Sequence, residues 1–221
     1  MRVIVFGATG MVGQGVLRQC LLADDVEAVA AVGRSGSGQR HSKLIDIVHK
    51  DLSDLSAVEE QLRGYDACFF ALGVSSVGMT EADYERVTYG FTIAAGEMLA
   101  RVNSGMTFVY VSGMGTDSSE QGRTMWARVK GRTENALLRL PLEAYMFRPG
   151  FIQPLDGIRS RTGFYNAMYT LLRPLVPVFR LAMPNQFLTT RQIGQAMLNV
   201  ARRGHRTRIL EVRDIREAAQ A

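Results

Sequence analysis

Residues 2–13 read Arg-Val-Ile-Val-Phe-Gly-Ala-Thr-Gly-Met-Val-Gly, and the fold class turns on them. The first five form a short run of β-strand character that stops at Gly7. From Met11 to Leu22 the apolar Val12, Val16, Leu17, Cys20 and Leu21 then recur at helical spacing. The order is strand, glycine turn, helix. In such a turn Gly7 permits the tight reversal, Gly10 lets backbone approach a pyrophosphate, and Gly13 lets the helix pack near the strand. The free N–H groups of the helix start carry partial positive charge. Gly7, Thr9, Gly10, Met11 and Val12 are therefore the candidate contacts to a dinucleotide, against the alternative of a purely structural glycine turn.

The same alternation continues outward. Strand patterns occupy 26–32, 45–49, 66–72, 107–111 and 143–147, with helical patterns at 55–62, 80–102 and 121–140. Near-continuous apolar strands separated by helices predict a parallel sheet buried on both faces. Right-handed crossovers make it a doubly wound α/β sheet with its ligand at the carboxyl edge. Beyond Gly150 the pattern loosens into a helix at 163–172, a proline-broken apolar stretch to Pro184, a helix at 190–203, a short strand at 207–212 and a helical tail. One domain is expected, with residues 1–152 as the nucleotide-binding core and 153–221 as a small cap on the substrate side.

Composition bounds the partners. Of 221 residues, 47% are apolar and 21% charged, which excludes intrinsic disorder. The net charge is +5, yet from Arg191 onward seven arginines face three acids, so that segment alone carries +4. The remainder is nearly neutral, which makes a nucleic-acid partner unlikely and the tail a solvated surface. Cys20 and Cys68 sit in apolar runs as small core residues, a pattern that fits a reduced cytoplasmic setting and neither a disulfide framework nor a metal site. No secretory signal pattern follows Met1. The apolar stretch 164–184 holds Arg173, Arg180 and three prolines, so it is a poor membrane span. It reads as core, as a substrate-side wall or as a surface for self-association into a homo-oligomer.

Three further strand exits carry candidate chemistry. After the second strand comes Gly33-Arg34-Ser35, where an acid would bond the ribose 2′-hydroxyl of NAD. A guanidinium there pairs with a 2′-phosphate and Ser35 adds a hydroxyl, which favours NADP over NAD; the alternative is a solvated arginine in a turn. Asp51-Leu52 follows the third strand, where a carboxylate can meet an adenine amine or simply cap the next helix. Ala71-Leu72-Gly73 ends the fourth strand, on the side of the nicotinamide ribose.

These residues resemble the atypical short-chain dehydrogenase/reductases, Rossmann proteins related to the epimerase-dehydratases. The chain is most similar to the NmrA-like and HIV Tat-interactive-protein-like group, with Gly-Arg after the second strand and Arg-Pro-Gly after the sixth. The resemblance covers Met1 to about Ile152 and implies a sheet of about seven strands with a catalytic Ser, Tyr and Lys. Ser112, in Tyr-Val-Ser-Gly, matches the serine, and Lys130 matches the lysine, which would also hold the cofactor ribose. The tyrosine position, four residues before the lysine, is Trp126. Indole donates an N–H but cannot cycle through an ionised form. Tyr110 and the helical Tyr84, Tyr89, Tyr165 and Tyr169 are poor replacements, and the three histidines lie away from the expected centre. Arg148, Pro149, Gly150 and Ile152 should pass the nicotinamide. Two functions stay open: an oxidoreductase acting on a small carbonyl substrate, with Ser112 orienting oxygen and Lys130 orienting cofactor, or a non-catalytic NADP(H)-sensing regulatory or binding protein.

Overall fold

A computed structural model describes residues 1–158 and 186–221. The strands are β1 (Arg2–Phe6), β2 (Ala28–Gly33), β3 (Leu44–Val48), β4 (Ala67–Phe70), β5 (Thr107–Val111), β6 (Glu143–Phe147), β7 (Phe151–Gln153), β8 (Phe187–Thr189) and β9 (Ile209–Leu210). The helices are α1 (Met11–Leu22), α2 (Glu81–Glu85), α3 (Phe91–Val102), α4 (Met125–Leu137), α5 (Thr190–Arg203) and α6 (Val212–Gln220). A 3-10 helix spans Ser56–Leu62 and a π-helical turn spans Arg86–Gly90. Seven strands pair in the order β3-β2-β1-β4-β5-β6-β9, every pair parallel. The order reverses direction between β1 and β4, and that switch point is where a doubly wound sheet opens a crevice.

Alternation along the strands feeds two separate cores. Val3, Val5, Val29, Ala31, Ala67 and Phe69 pack with α1, α5 and α6 on one face. Ile4, Phe6, Ala30, Val32, Cys68 and Phe70 pack with the 3-10 helix, α3 and α4 on the other. This is the Rossmann arrangement of a single α/β domain, and it explains the unbroken apolar strands: both faces of the sheet are covered.

The C-terminal residues enter this core. Helix α5 lies along α1 with Ile193, Ala196, Met197 and Val200 buried, and β9 extends the sheet beyond β6. The expected strand at 207–212 shortens to two residues because Glu211 and Asp214 form a capping box that starts α6 at Val212. The tail arginines are largely ion-paired: Arg191 with Asp156, Arg202 with Asp25, Arg206 with Asp214 and Glu217, Arg208 with Glu143, and Arg213 with Glu217. Strands β7 and β8 form a separate parallel pair in which Phe151 and Phe187 stack at 5.3 Å. The expected helix at 163–172 and the whole apolar 164–184 stretch lie outside the described residues.

Candidate active site

The glycine turn is built by close approaches. Gly7 has φ +78°, and a Cβ there would lie 2.6 Å from the backbone nitrogen of Leu72, so the turn sits against the exit of β4. A Cβ on Gly13 would lie 2.0 Å from the carbonyl oxygen of Gly7, which lets α1 start directly on the turn. Gly10 differs. Its φ is −75°, and a Cβ there would meet nothing nearer than the Gly7 oxygen at 3.4 Å. Packing among the described residues therefore does not require its bareness. No side chain caps α1, and its first turn holds no acid, so its leading N–H groups are left for an anion. These features fit a dinucleotide pyrophosphate.

Gly7, Thr9, Arg34, Ser35 and Leu72 line one cavity of about 100 Å³, which joins the turn to the end of β2. The loop after β2 is held by Asp46, whose carboxylate accepts from Ser37 N at 3.0 Å. Arg34 itself is exposed and has no hydrogen bond or ion pair among the described residues. Asp51 bonds its own turn: its carboxylate accepts from Ser53 N at 3.0 Å and from the Ser53 hydroxyl, and these bonds hold its pKa below the usual range. Leu52 is core. Ala71 N donates to Phe6 O at 3.0 Å, and nothing crowds Gly73.

The β5–β6 end is closed and polar. Ser112 is buried, and its hydroxyl lies 2.5 Å from Glu134 Oε1 and 3.1 Å from Phe147 O. Glu134 is fully buried on α4 and takes two bonds from Arg148, one from Nε at 3.0 Å. Arg148 also reaches Ser118 and, at 3.2 Å, Glu211, and its pKa rises because of Glu134 first. The Arg148 guanidinium is thus committed to Glu134, and in the turn expected to pass the nicotinamide Pro149 O accepts from Met114 N at 2.9 Å. Gly150 passes closely under Gln186, and Ile152 pairs with Leu188.

Lys130 Nζ donates to the backbone oxygen of Ser112, so the serine and lysine of the sequence reading do meet. Burial lowers the Lys130 pKa to about 8, with Glu134 opposing. The ammonium lies 5.8 Å from the centre of the Tyr110 ring. Tyr110 and Tyr84 are both buried, and burial pushes the Tyr110 phenol up, away from use as an acid near neutrality. Trp126 rests its indole edge beside Gly115. Tyr165 and Tyr169 lie outside the described residues. Sequence reading passed over Lys50, Arg86 and Phe91, which line a second cavity with Arg34 and Asp51. Lys50 adjoins the noticed Asp51; Arg86 gave no signal, because its place depends on the π turn.

Among the described residues no group of His, Cys, Asp and Glu can hold a metal, and no helix is long and apolar enough to cross a membrane. A protein family described as NAD(P)H-binding matches residues 7–159. The mitochondrial protein FMP52 of Meyerozyma guilliermondii is 24% identical over 188 residues, covering 83% of this chain and 78% of its own. Among solved structures, the oxidoreductase ylbE from Lactococcus lactis superposes with TM-score 0.68 at 12% identity, covering 99% of this chain and 96% of its own. The dTDP-glucose 4,6-dehydratase DesIV from Streptomyces venezuelae, with NAD bound, gives 0.70 at 17% identity over 96% and 75%. At such identities these structures establish the fold alone.

Proposed function

Because this chain belongs to the NAD(P)H-binding family, we propose that it is an NADP(H)-dependent oxidoreductase acting on a small carbonyl compound. The observation that carries the reading is the bare approach at Gly10, which no packing among the described residues accounts for, set at an uncapped helix start. Arg34 at the exit of β2, with no carboxylate partner among the described residues, supports the 2′-phosphorylated form of the cofactor.

When bound, the nicotinamide supplies or accepts hydride. The chain's part is to hold the reactants and move the proton. Lys130, anchored on Ser112 O, holds ribose hydroxyls and protonates the substrate oxygen in the direction of reduction, a task its lowered pKa of about 8 suits and Trp126 cannot perform. The Ser112 hydroxyl, engaged by Glu134, serves by fixing the strand end whose carbonyl anchors Lys130 of α4.

The test is a fluorescence titration with NADPH followed by a panel of quinones, aldehydes and ketones scored for NADPH oxidation. Turnover of at least one carbonyl, lost in Lys130→Met, is expected. Tight NADPH binding with no turnover across the panel, and no gain in Trp126→Tyr, would overturn the oxidoreductase reading in favour of a nucleotide-sensing protein.

A further inference from the structure

Arg34 is one of three cations that converge on a single opening. A cavity of about 450 Å³ is lined by Arg34, Lys50, Asp51, Ser53, Arg86 and Phe91, which come from the ends of β2 and β3, from the π turn and from the start of α3. The lining holds three positive groups and one carboxylate, and that carboxylate is already bonded by Ser53. Arg34 and Lys50 have no hydrogen bond or ion pair among the described residues. Arg86 has only a loose pair with Asp83 at 3.8 Å, and its side chain is 69% exposed. Like charges gathered around one concavity repel one another and attract an anion.

The π turn is what brings Arg86 there together with Phe91. In an α-helix, residues five apart point about 140° away from each other around the axis. Where hydrogen bonds run from i to i+5, residues five apart lie nearly one above the other. Arg86 and Phe91 are five apart across Arg86–Gly90, and both line the cavity. A regular helix over the same residues would turn one of them aside.

We propose that Arg86 and Lys50 complete, with Arg34, a three-cation clamp on the 2′-phosphate of the nucleotide, with Phe91 as a flat wall for the adenine. The inference rests on the NADP(H) reading above and adds to it the residues that set the preference. A phosphomonoester carries close to two negative charges at neutral pH, which one exposed guanidinium only partly balances. Arg86 exchanges its weak contact with Asp83 for a charge-assisted bond to phosphate.

The experiment measures dissociation constants for NADPH and NADH by fluorescence in the full chain and in Arg86→Ala, Lys50→Ala and Arg34→Ala, with 2′,5′-ADP and 5′-AMP as competing probes. Both new variants alter exposed side chains, and matched thermal melts check the fold. Arg86→Ala is expected to weaken NADPH and 2′,5′-ADP about tenfold, as for loss of one charge-assisted pair, while NADH and 5′-AMP move less than about twofold. Lys50→Ala is expected to shift the same ligands by about threefold. Equal weakening of NADPH and NADH in Arg86→Ala, or no change in either, overturns the clamp. So does a wild-type chain that binds both nucleotides with equal strength, which leaves the oxidoreductase reading standing. A wild-type chain that binds neither nucleotide removes that reading and the clamp with it.

Discussion

At the β2–β3 end of the cleft, Arg34 and Lys50 stand exposed and without partners among the described residues, while at the β5–β6 end the buried Glu134 is paired with a half-buried Arg148. The first set leaves its charge to solvent or to a ligand. The second spends it inside the protein: Glu134 receives Arg148 and the Ser112 hydroxyl, and Arg148 reaches on to Ser118 and Glu211. A charge that is free can select an anion, because binding breaks nothing. A charge that is buried and paired holds a scaffold, because breaking the pair leaves its partner uncompensated.

Removing Glu134 should have the largest effect. Glu134→Leu removes the buried partner of the half-buried Arg148 and leaves it Ser118 and Glu211, and a stability loss of about 2 kcal/mol in urea unfolding is expected. A loss under about 0.5 kcal/mol would erase the distinction between the two ends. Next comes the proton on Lys130. Its pKa is lowered to about 8, so the ammonium needed for carbonyl reduction is present below that pH and disappears above it. The reduction rate should therefore fall about tenfold per unit above pH 8, measured with saturating NADPH. A flat profile from pH 7 to 10 would remove Lys130 as the proton source. The smallest effect concerns salt. The preference for NADPH over NADH should shrink about threefold between 50 and 500 mM salt, since exposed cations are screened at that strength. A preference indifferent to salt would place the discrimination on uncharged contacts.

The Rossmann sheet was legible because its information is local. The run 2–6 is β-branched and aromatic, Gly7 stops it, and both faces of the strands are apolar. The meeting of Ser112 with Lys130 was implied by the family resemblance, which matched one to a strand end and the other to the helix that follows it. Other features depend on residues far apart in the chain. Arg148 meets Glu134 across two elements, and β7 finds β8 from beyond residues 159–185. The π turn was hidden for another reason. The apolar spacing over 80–102 satisfies a continuous α-helix, and nothing in the residue types of Arg86–Gly90 marks the wider turn. Arg191, Arg202 and Arg208 read as a solvated surface because their acids, Asp156, Asp25 and Glu143, lie elsewhere in the chain.

The placement of α5 over α1 also dictates an order of assembly. Helix α1 follows β1 directly and covers Val3 and Val5, yet the part of the same face around Val109 of β5 waits for α5, which begins at Thr190. At about 5–20 residues per second, translation leaves that part of the face waiting for some 4–16 s. During that interval the nascent chain carries a half-covered sheet, the kind of surface on which chains stick to one another or to a chaperone. Chains cut short before Thr190 should accumulate as aggregates even though every glycine of the turn is already in place.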